Sequence, residues 1–507
     1  MGSTALTLMI ITIISKITGL LREQFTSYFL GTGSLADIYS TASNIPFTIF
    51  GFIVAGVGTS FIPIYNKIKK ERGMKSADEY TSNLVNILVV VSLIIIGLTV
   101  IFAPWIVKIF AVGYGGEKLR LTVQFTRIIS FATTTALVSS VYIGYLNLKG
   151  SFVVPAMTGI IMNVLNIITF LIAYKFNNFF IIAFGFLISD ILKYVFFPKS
   201  LRKEHYKHGW GLDFKDEHIK MMISMSIPII ISIAAVDLST IVDQSLATIV
   251  SKGAHGAVSS LRYSVLILQL ISGVIVVSIA TAIFPKMSDY AVENKLPQLK
   301  KTLMESVMFA QLLVIPAMIG AMVLVKPIVS IIFERGVFDA ESTKITAHVL
   351  YFYLPTLLGH SIRDLMVRAN YSLRNIKTPV RITVIEQVLN IVLSVIFSSF
   401  MGVAGLALGT SIATILGGIM MTYKFRKKYG KINLRNFLIS TIKVIVASLI
   451  MGIFTYTSYN YLAEFGHAIS FIGSVLISII IYAIIIILMR IPEVKKLINQ
   501  IYRKLKK

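Results

Sequence analysis

Apolar residues run along this chain in long, almost unbroken blocks separated by short polar stretches. Neither the two-residue alternation of a half-buried strand nor the three-and-four spacing of a surface helix dominates. A helix needs about 20 apolar residues to cross a bilayer. The blocks at 5–30, 36–65, 84–112, 120–147, 153–174, 178–198, 221–251, 257–288, 303–333, 342–372, 380–400, 403–425, 437–461 and 467–490 reach that length. The pattern predicts an all-α, polytopic membrane protein with fourteen transmembrane helices. Several blocks exceed the minimum, so some helices tilt or project beyond the lipid.

The polar stretches set a direction, because Lys and Arg are retained on the cytoplasmic side. Loops after even-numbered spans carry Lys67, Lys69, Lys70, Arg72 and Lys75, then Lys199, Arg202, Lys203 and Lys207, then Lys295, Lys300 and Lys301, then Lys424, Arg426, Lys427 and Lys428. Loops after odd-numbered spans are short and poor in basic residues, which places both termini in the cytoplasm. From Pro492 to Lys507, Val494, Leu497, Ile498, Ile501 and Leu505 recur at helical spacing against Lys495, Lys496, Arg503 and Lys504. That tail suits a helix lying on anionic lipid.

Composition agrees. Of 507 residues 56% are hydrophobic and 14% charged, which excludes a soluble globular domain and a disordered chain alike. The net charge of +25 would suggest nucleic acid in a soluble protein. Here it sits largely in loops and tail, so no nucleic-acid partner is expected. Absent cysteine removes disulfides, thiolate metal sites and thiol catalysis. The N-terminus lacks a basic n-region and its apolar block outruns signal-peptide length, so no cleaved leader is expected.

Shifting the chain on itself exposes a repeat. At 222 residues, Gly31, Gly51, Thr59 and Pro63 fall on Gly253, Gly273, Thr281 and Pro285. At 224, Pro155, Asn166 and Gly185 fall on Pro379, Asn390 and Gly409. Span 1 lands on span 7, and an even number of helices preserves direction, so the repeat is parallel. The expected organisation is an N-lobe over 1–200 (spans 1–6), a C-lobe over 201–430 (spans 7–12), and 431–507 holding spans 13–14 and the tail. Two parallel six-helix lobes are the arrangement of transporters that rock around a central site.

A charge at mid-bilayer costs about 2.5–3.5 kcal/mol on insertion scales, so each one asks for a partner, water or a substrate. Lys16 and Glu23 share a face of span 1 with Gly19, Arg22 lies beside them, and Asp37 opens span 2. Lys16 is too deep for easy snorkelling. In the second lobe, Arg363, Asp364, Arg368 and Glu386 read as a salt-bridge cluster near the cytoplasmic end. Asp243 follows an apolar stretch, and with neutral oxygens on later spans, such as Asn390 and Thr410, it would suit a hard monovalent cation.

Ser15-Lys16-Ile17-Thr18-Gly19-Leu20-Leu21-Arg22-Glu23, followed by Asp37, Pro46 and Ser60-Phe61-Ile62-Pro63, resembles the opening of the MurJ family of lipid II flippases. That family sits in a superfamily with multidrug exporters and polysaccharide flippases. Phe333-Glu334-Arg335-Gly336-Val337-Phe338-Asp339-Ala340, and Arg368-Ala369-Asn370-Tyr371 leading to Lys377-Thr378-Pro379, extend the resemblance along nearly the whole chain. It implies flipping of an undecaprenyl-pyrophosphate-linked peptidoglycan precursor from inner to outer leaflet by alternating access. Lys16, Arg22, Glu23 and Asp37 fall on the family's substrate-binding charges. Asp243, Asn390, Ser394, Thr410 and the Leu406 carbonyl fall on its cation site, with sodium as the candidate ion and no other cofactor. Departures are visible: the family's usual arginine is Lys16, its span-2 arginine and glutamate fall on Phe50 and Ala55, its span-8 arginine falls on Leu266, and a usual aspartate is Ser394. Arg262, one turn before Leu266, is the candidate to replace the span-8 charge.

The reading adopted is a flippase for lipid II, acting as a monomer in the bacterial plasma membrane and not an enzyme. No GxxxxGK[ST] loop is present to use ATP, and the outer loops are too short for a catalytic domain. The nearest alternative is a flippase for another lipid-linked polysaccharide, of capsule or teichoic type. A cation-coupled drug exporter fits less well, because cationic drugs call for acidic residues where Lys16 and Arg22 stand.

Overall fold

The computed structural model describes residues 2–491 and Val494, so the amphipathic tail expected from Pro492 onward lies outside the described residues apart from Val494. Every regular element among the described residues is helical: α1 Gly2–Leu30, α2 Ser34–Phe110, α3 Gly116–Ile129, α4 Ala132–Leu148, α5 Val153–Lys175, α6 Phe180–Leu192, α7 Phe197–Lys203, α8 Glu217–Val250, α9 Ala257–Ser272, α10 Ser278–Val292, α11 Leu296–Val323, α12 Val325–Phe333, α13 Ala340–Tyr353, α14 Thr356–Ser372, α15 Lys377–Met401, α16 Val403–Tyr429, α17 Leu434–Tyr461 and α18 His467–Leu488. Eleven helices among the described residues are long and apolar enough to cross a membrane. One of them, α2, carries both stretches expected as spans 2 and 3, while α1 and the α13–α14 pair occupy the stretches expected as spans 1 and 10.

Interruptions give the helices their form. The 77 residues of α2 bend at Gly73, whose φ of 87° is open to glycine and strained for other residues. The span expected at 120–147 is split into α3 and α4 at Ser130–Phe131, and a π-helical turn at Gly273–Val277 separates α9 from α10. Between α13 and α14 stands Pro355, which has no N–H to continue the ladder.

The chain forms two compact units, Met1–Ser259 with Arg335–Asp339, and Ser260–Glu334 with Ala340–Lys507. In the first, α2 packs against α3, α4 and α8, and α1 against α5; Phe61, Tyr65 and Tyr145 are fully buried in its core. The segment 335–339 joins this unit because Val337 N donates to Tyr28 O over 2.9 Å. Gly336, at φ 62°, allows that approach, since a Cβ there would sit 2.5 Å from the Tyr28 carbonyl. The irregular connector before α8 is clasped to α2: Asn86 Nδ2 donates to Gly209 O and Gly211 O at 2.8 Å, and Asp213 N donates to Asn83 Oδ1 at 2.7 Å.

In the second unit, α16 packs on α14 and α15, and α17 on α11 and α18. The repeat seen at 224 residues appears as one helix crossing formed twice. A Cβ on Gly185 of α6 would lie 2.0 Å from the Thr169 side chain of α5, and one on Gly409 of α16 would lie 2.8 Å from the Ser394 backbone of α15.

Candidate functional site

The charged stretch of α1 is held by its uncharged neighbours. Asn163 of α5 donates to Ser15 O and to Thr18 Oγ1, both over 3.2 Å. Gly19 keeps that approach open, since a Cβ there would meet the Asn163 amide at 3.4 Å. Ser15, Thr18 and Gly19 thus fix the helix, and Lys16 stands on its exposed side with no ion-pair partner among the described residues. One turn and a half further, Arg22 pairs through Nη2 with Glu23 Oε1, with side chains 23% and 4% exposed. Arg22 Nε is buried and has no hydrogen-bond partner among the described residues. The guanidinium has five N–H donors in a fixed fork, and the one on Nε is buried with its hydrogen bond unmade among the described residues.

Asp37 is brought to other company. It is fully buried and accepts four hydrogen bonds: from Lys118 Nζ at 2.9 Å, Gly256 N at 3.1 Å, Ser259 N at 3.0 Å and Ser259 Oγ at 2.9 Å. The carboxylate therefore ties the starts of α2 and α3 to the first turn of α9, where a negative charge is favoured by the helix dipole. It is not joined to Arg22. Alongside, Gly113 N donates to Thr248 Oγ1 at 3.0 Å, which links the end of α2 to the last turn of α8.

The residues expected at a cation site are divided between the units. Asp243 lies on α8 in the first. In the second, Ser394 Oγ and Thr410 Oγ1 both donate to Asn390 Oδ1, at 3.1 and 3.2 Å, and Thr410 Oγ1 also meets Leu406 O at 3.0 Å. Four oxygens from α15 and α16 thus converge, a donor set whose type fits a hard monovalent cation. Asp237, on α8 ahead of Asp243, has Oδ2 buried without a partner among the described residues and 3.9 Å from where a Cβ on Gly51 would stand. Arg262 is half-buried on α9 in the second unit. Of the four residues expected as a salt-bridge cluster, Arg363 joins Glu386 at 2.6 Å and Asp364 at 3.1 Å. Arg368 instead lies over the Phe284 ring, 5.7 Å from its centroid.

Two groups escaped the sequence reading. Lys118 is the partner of Asp37, and the signal was a lysine in a loop otherwise poor in basic residues. The other is Lys193, ion-paired to Asp190, which also accepts from Thr135 Oγ1. Opposite charges three residues apart inside the apolar stretch of span 6 were the clue there.

Comparison with known proteins places the chain as a whole. The family model described as lipid II flippase MurJ matches residues 26–476. A Rickettsia prowazekii (strain Madrid E) protein named "Probable lipid II flippase MurJ" is 27% identical over 483 residues, covering 92% of this chain and 93% of that one. A solved structure of a lipid II flippase MurJ in an inward closed conformation superposes with a TM-score of 0.81 at 25% identity, covering 99% of both chains. An inward-facing multidrug resistance MATE family transporter of the MOP superfamily shares the fold at a TM-score of 0.68 and 15% identity, covering 84% of this chain and 98% of its own. With the match extending over residues 26–476, the chain belongs to the lipid II flippase MurJ family.

Proposed function

We propose that this chain carries lipid II from the inner to the outer leaflet by alternating access, with Lys16 and Arg22 receiving the pyrophosphate. The observation that supports the assignment of residues is the unpartnered Nε donor of Arg22, buried beside its own carboxylate on the helix that also exposes Lys16. Inside a membrane such cations are costly and persist where they meet an anion, and a guanidinium offers a phosphate strong charge-assisted hydrogen bonds. Glu23 holds Arg22 in place. Asp37 acts as a catch at the outer end of α2, its four bonds released when that end opens. The oxygens of Asn390, Ser394, Thr410 and Leu406, all within the second unit, are the candidates to hold a coupling sodium ion. The protein is multi-pass in the bacterial inner membrane, with both termini cytoplasmic.

The test is complementation of a strain depleted of its own lipid II flippase. Lys16→Ala and Arg22→Ala should each fail to support growth at wild-type abundance in the membrane, and lipid II should accumulate in the inner leaflet. Normal growth of both variants would reject the pyrophosphate assignment.

A further inference from the structure

The second unit keeps a cluster of titratable side chains within the stretch expected as spans 10 and 11: His360, Arg363 and Asp364 on α14 and Glu386 on α15. Arg363 stands between the two carboxylates, Nη1 donating to Glu386 Oε1 at 2.6 Å and Nε to Asp364 Oδ1 at 3.1 Å. Its Nη2 meets His360 Nδ1, also at 3.1 Å. Glu386 is 1% exposed, and its Oε2 has no hydrogen-bond partner among the described residues. That oxygen is pressed against α16, 2.2 Å from where a Cβ on Gly417 would stand. Asp364 Oδ2 lies 3.8 Å from His360 Nδ1, too far for a hydrogen bond. Among the described residues these four form ion pairs with one another and with no other charged group.

The contact between Arg363 and His360 fixes a protonation state. A guanidinium only donates, so Nδ1 accepts and the neutral ring carries its proton on Nε2. One positive and two negative charges then remain, a net charge of −1. Asp364 lies eight positions before the end of α14 at Ser372, about 12 Å at 1.5 Å per residue, and an unbalanced charge inside a membrane is costly. We propose that this cluster is a proton-binding site. His360 Nδ1 takes one proton from water, gives up the bond from Arg363 Nη2 and donates to Asp364 Oδ2. The exchange brings the cluster to zero net charge and keeps the bonds from Arg363 to Glu386 Oε1 and Asp364 Oδ1. A proton on Glu386 Oε2 would balance the charge equally, but it would face α16 with no acceptor among the described residues. No group of His, Asp and Glu among the described residues is arranged to hold a metal ion, and the guanidinium fills the space between the carboxylates. An anion would be repelled by the residual negative charge. The site goes beyond the transport reading above and is distinct from the oxygens of Asn390 and Thr410.

The experiment uses the full chain in lipid nanodiscs, with its histidine nitrogens isotopically labelled and read by nuclear magnetic resonance. The His360 signals are assigned by their loss in His360→Gln, and fold is followed by Tm. At about pH 8 the wild-type ring should be neutral with its proton on Nε2, and acidification to about pH 5 should add a proton on Nδ1. Asp364→Asn removes the charge that receives that proton's hydrogen bond, and should weaken proton binding about tenfold or more. Glu386→Gln removes the other negative charge and should weaken it too. A ring that stays neutral throughout, or one already protonated on Nδ1 at the alkaline end, would overturn the site. An unchanged proton affinity in either variant that folds would overturn it as well. If neither variant folds, the wild-type tautomer and its titration decide.

Discussion

Removing the Asp37 carboxylate would leave the Lys118 ammonium, whose side chain is 9% exposed, without its counter-charge, and the Gly256 and Ser259 amides without an acceptor. Breaking a buried pair from one side costs about 3–5 kcal/mol. Asp37→Ala should therefore lower the Tm of the solubilised protein sharply, and adding Lys118→Met should recover part of the loss by removing the orphaned charge. A double variant no more stable than the single one would contradict that account. Sodium should raise Tm in the wild type and fail to do so in Thr410→Val; stabilisation that persists there removes Thr410 from the cation site. Lys16 and Arg22 stand out in the sequence, because charge is rare in an apolar block. The role of Asp37 could not, since its partners lie 81 and 222 positions further along the chain.

At the scale of elements, the connector before α8 is where pH enters. His208 pairs through Nε2 with Asn86 Oδ1 at 2.9 Å, and burial pushes its imidazole below the ordinary value. The unfolded chain then takes up the proton first. The contribution of His208 to stability is complete above its unfolded pKa of about 6.5 and is lost as pH falls through that value towards the folded one. Between about pH 7.5 and 5.5, the wild type should lose more Tm than His208→Gln, and parallel curves would exclude His208 as the source. Apolar blocks located the helices well, because length and hydropathy alone decide what can span a bilayer. They did not reveal the break at Ser130–Phe131 or the π-helical turn at Gly273–Val277. No proline marks either place, and such interruptions answer to packing from distant helices rather than to local preference. The stretch around Gly73, expected as a loop, is helical on both sides because its charged residues are good helix formers.

For the molecule as a whole, the family and the repeat were both visible in the sequence, since glycine, proline and asparagine recur in order where apolar residues match by chance. Chemistry has diverged between the copies: Asn390 gathers the hydroxyls of Ser394 and Thr410, and the positions 224 residues earlier hold Phe170 and Phe186. Packing has not diverged. At Gly185 and Gly409 the paired helices touch so closely that a methyl group would lie 2.0 and 2.8 Å from its neighbour. Neither crossing leaves room for a side chain at its glycine, so an alanine there would push against the Thr169 side chain in one copy and the Ser394 backbone in the other. The α5–α6 and α15–α16 hairpins therefore depend on glycine at the crossing for their close packing. The breaks in regular helix fall elsewhere: at Gly73, at Ser130–Phe131, at the π-helical turn and at Pro355.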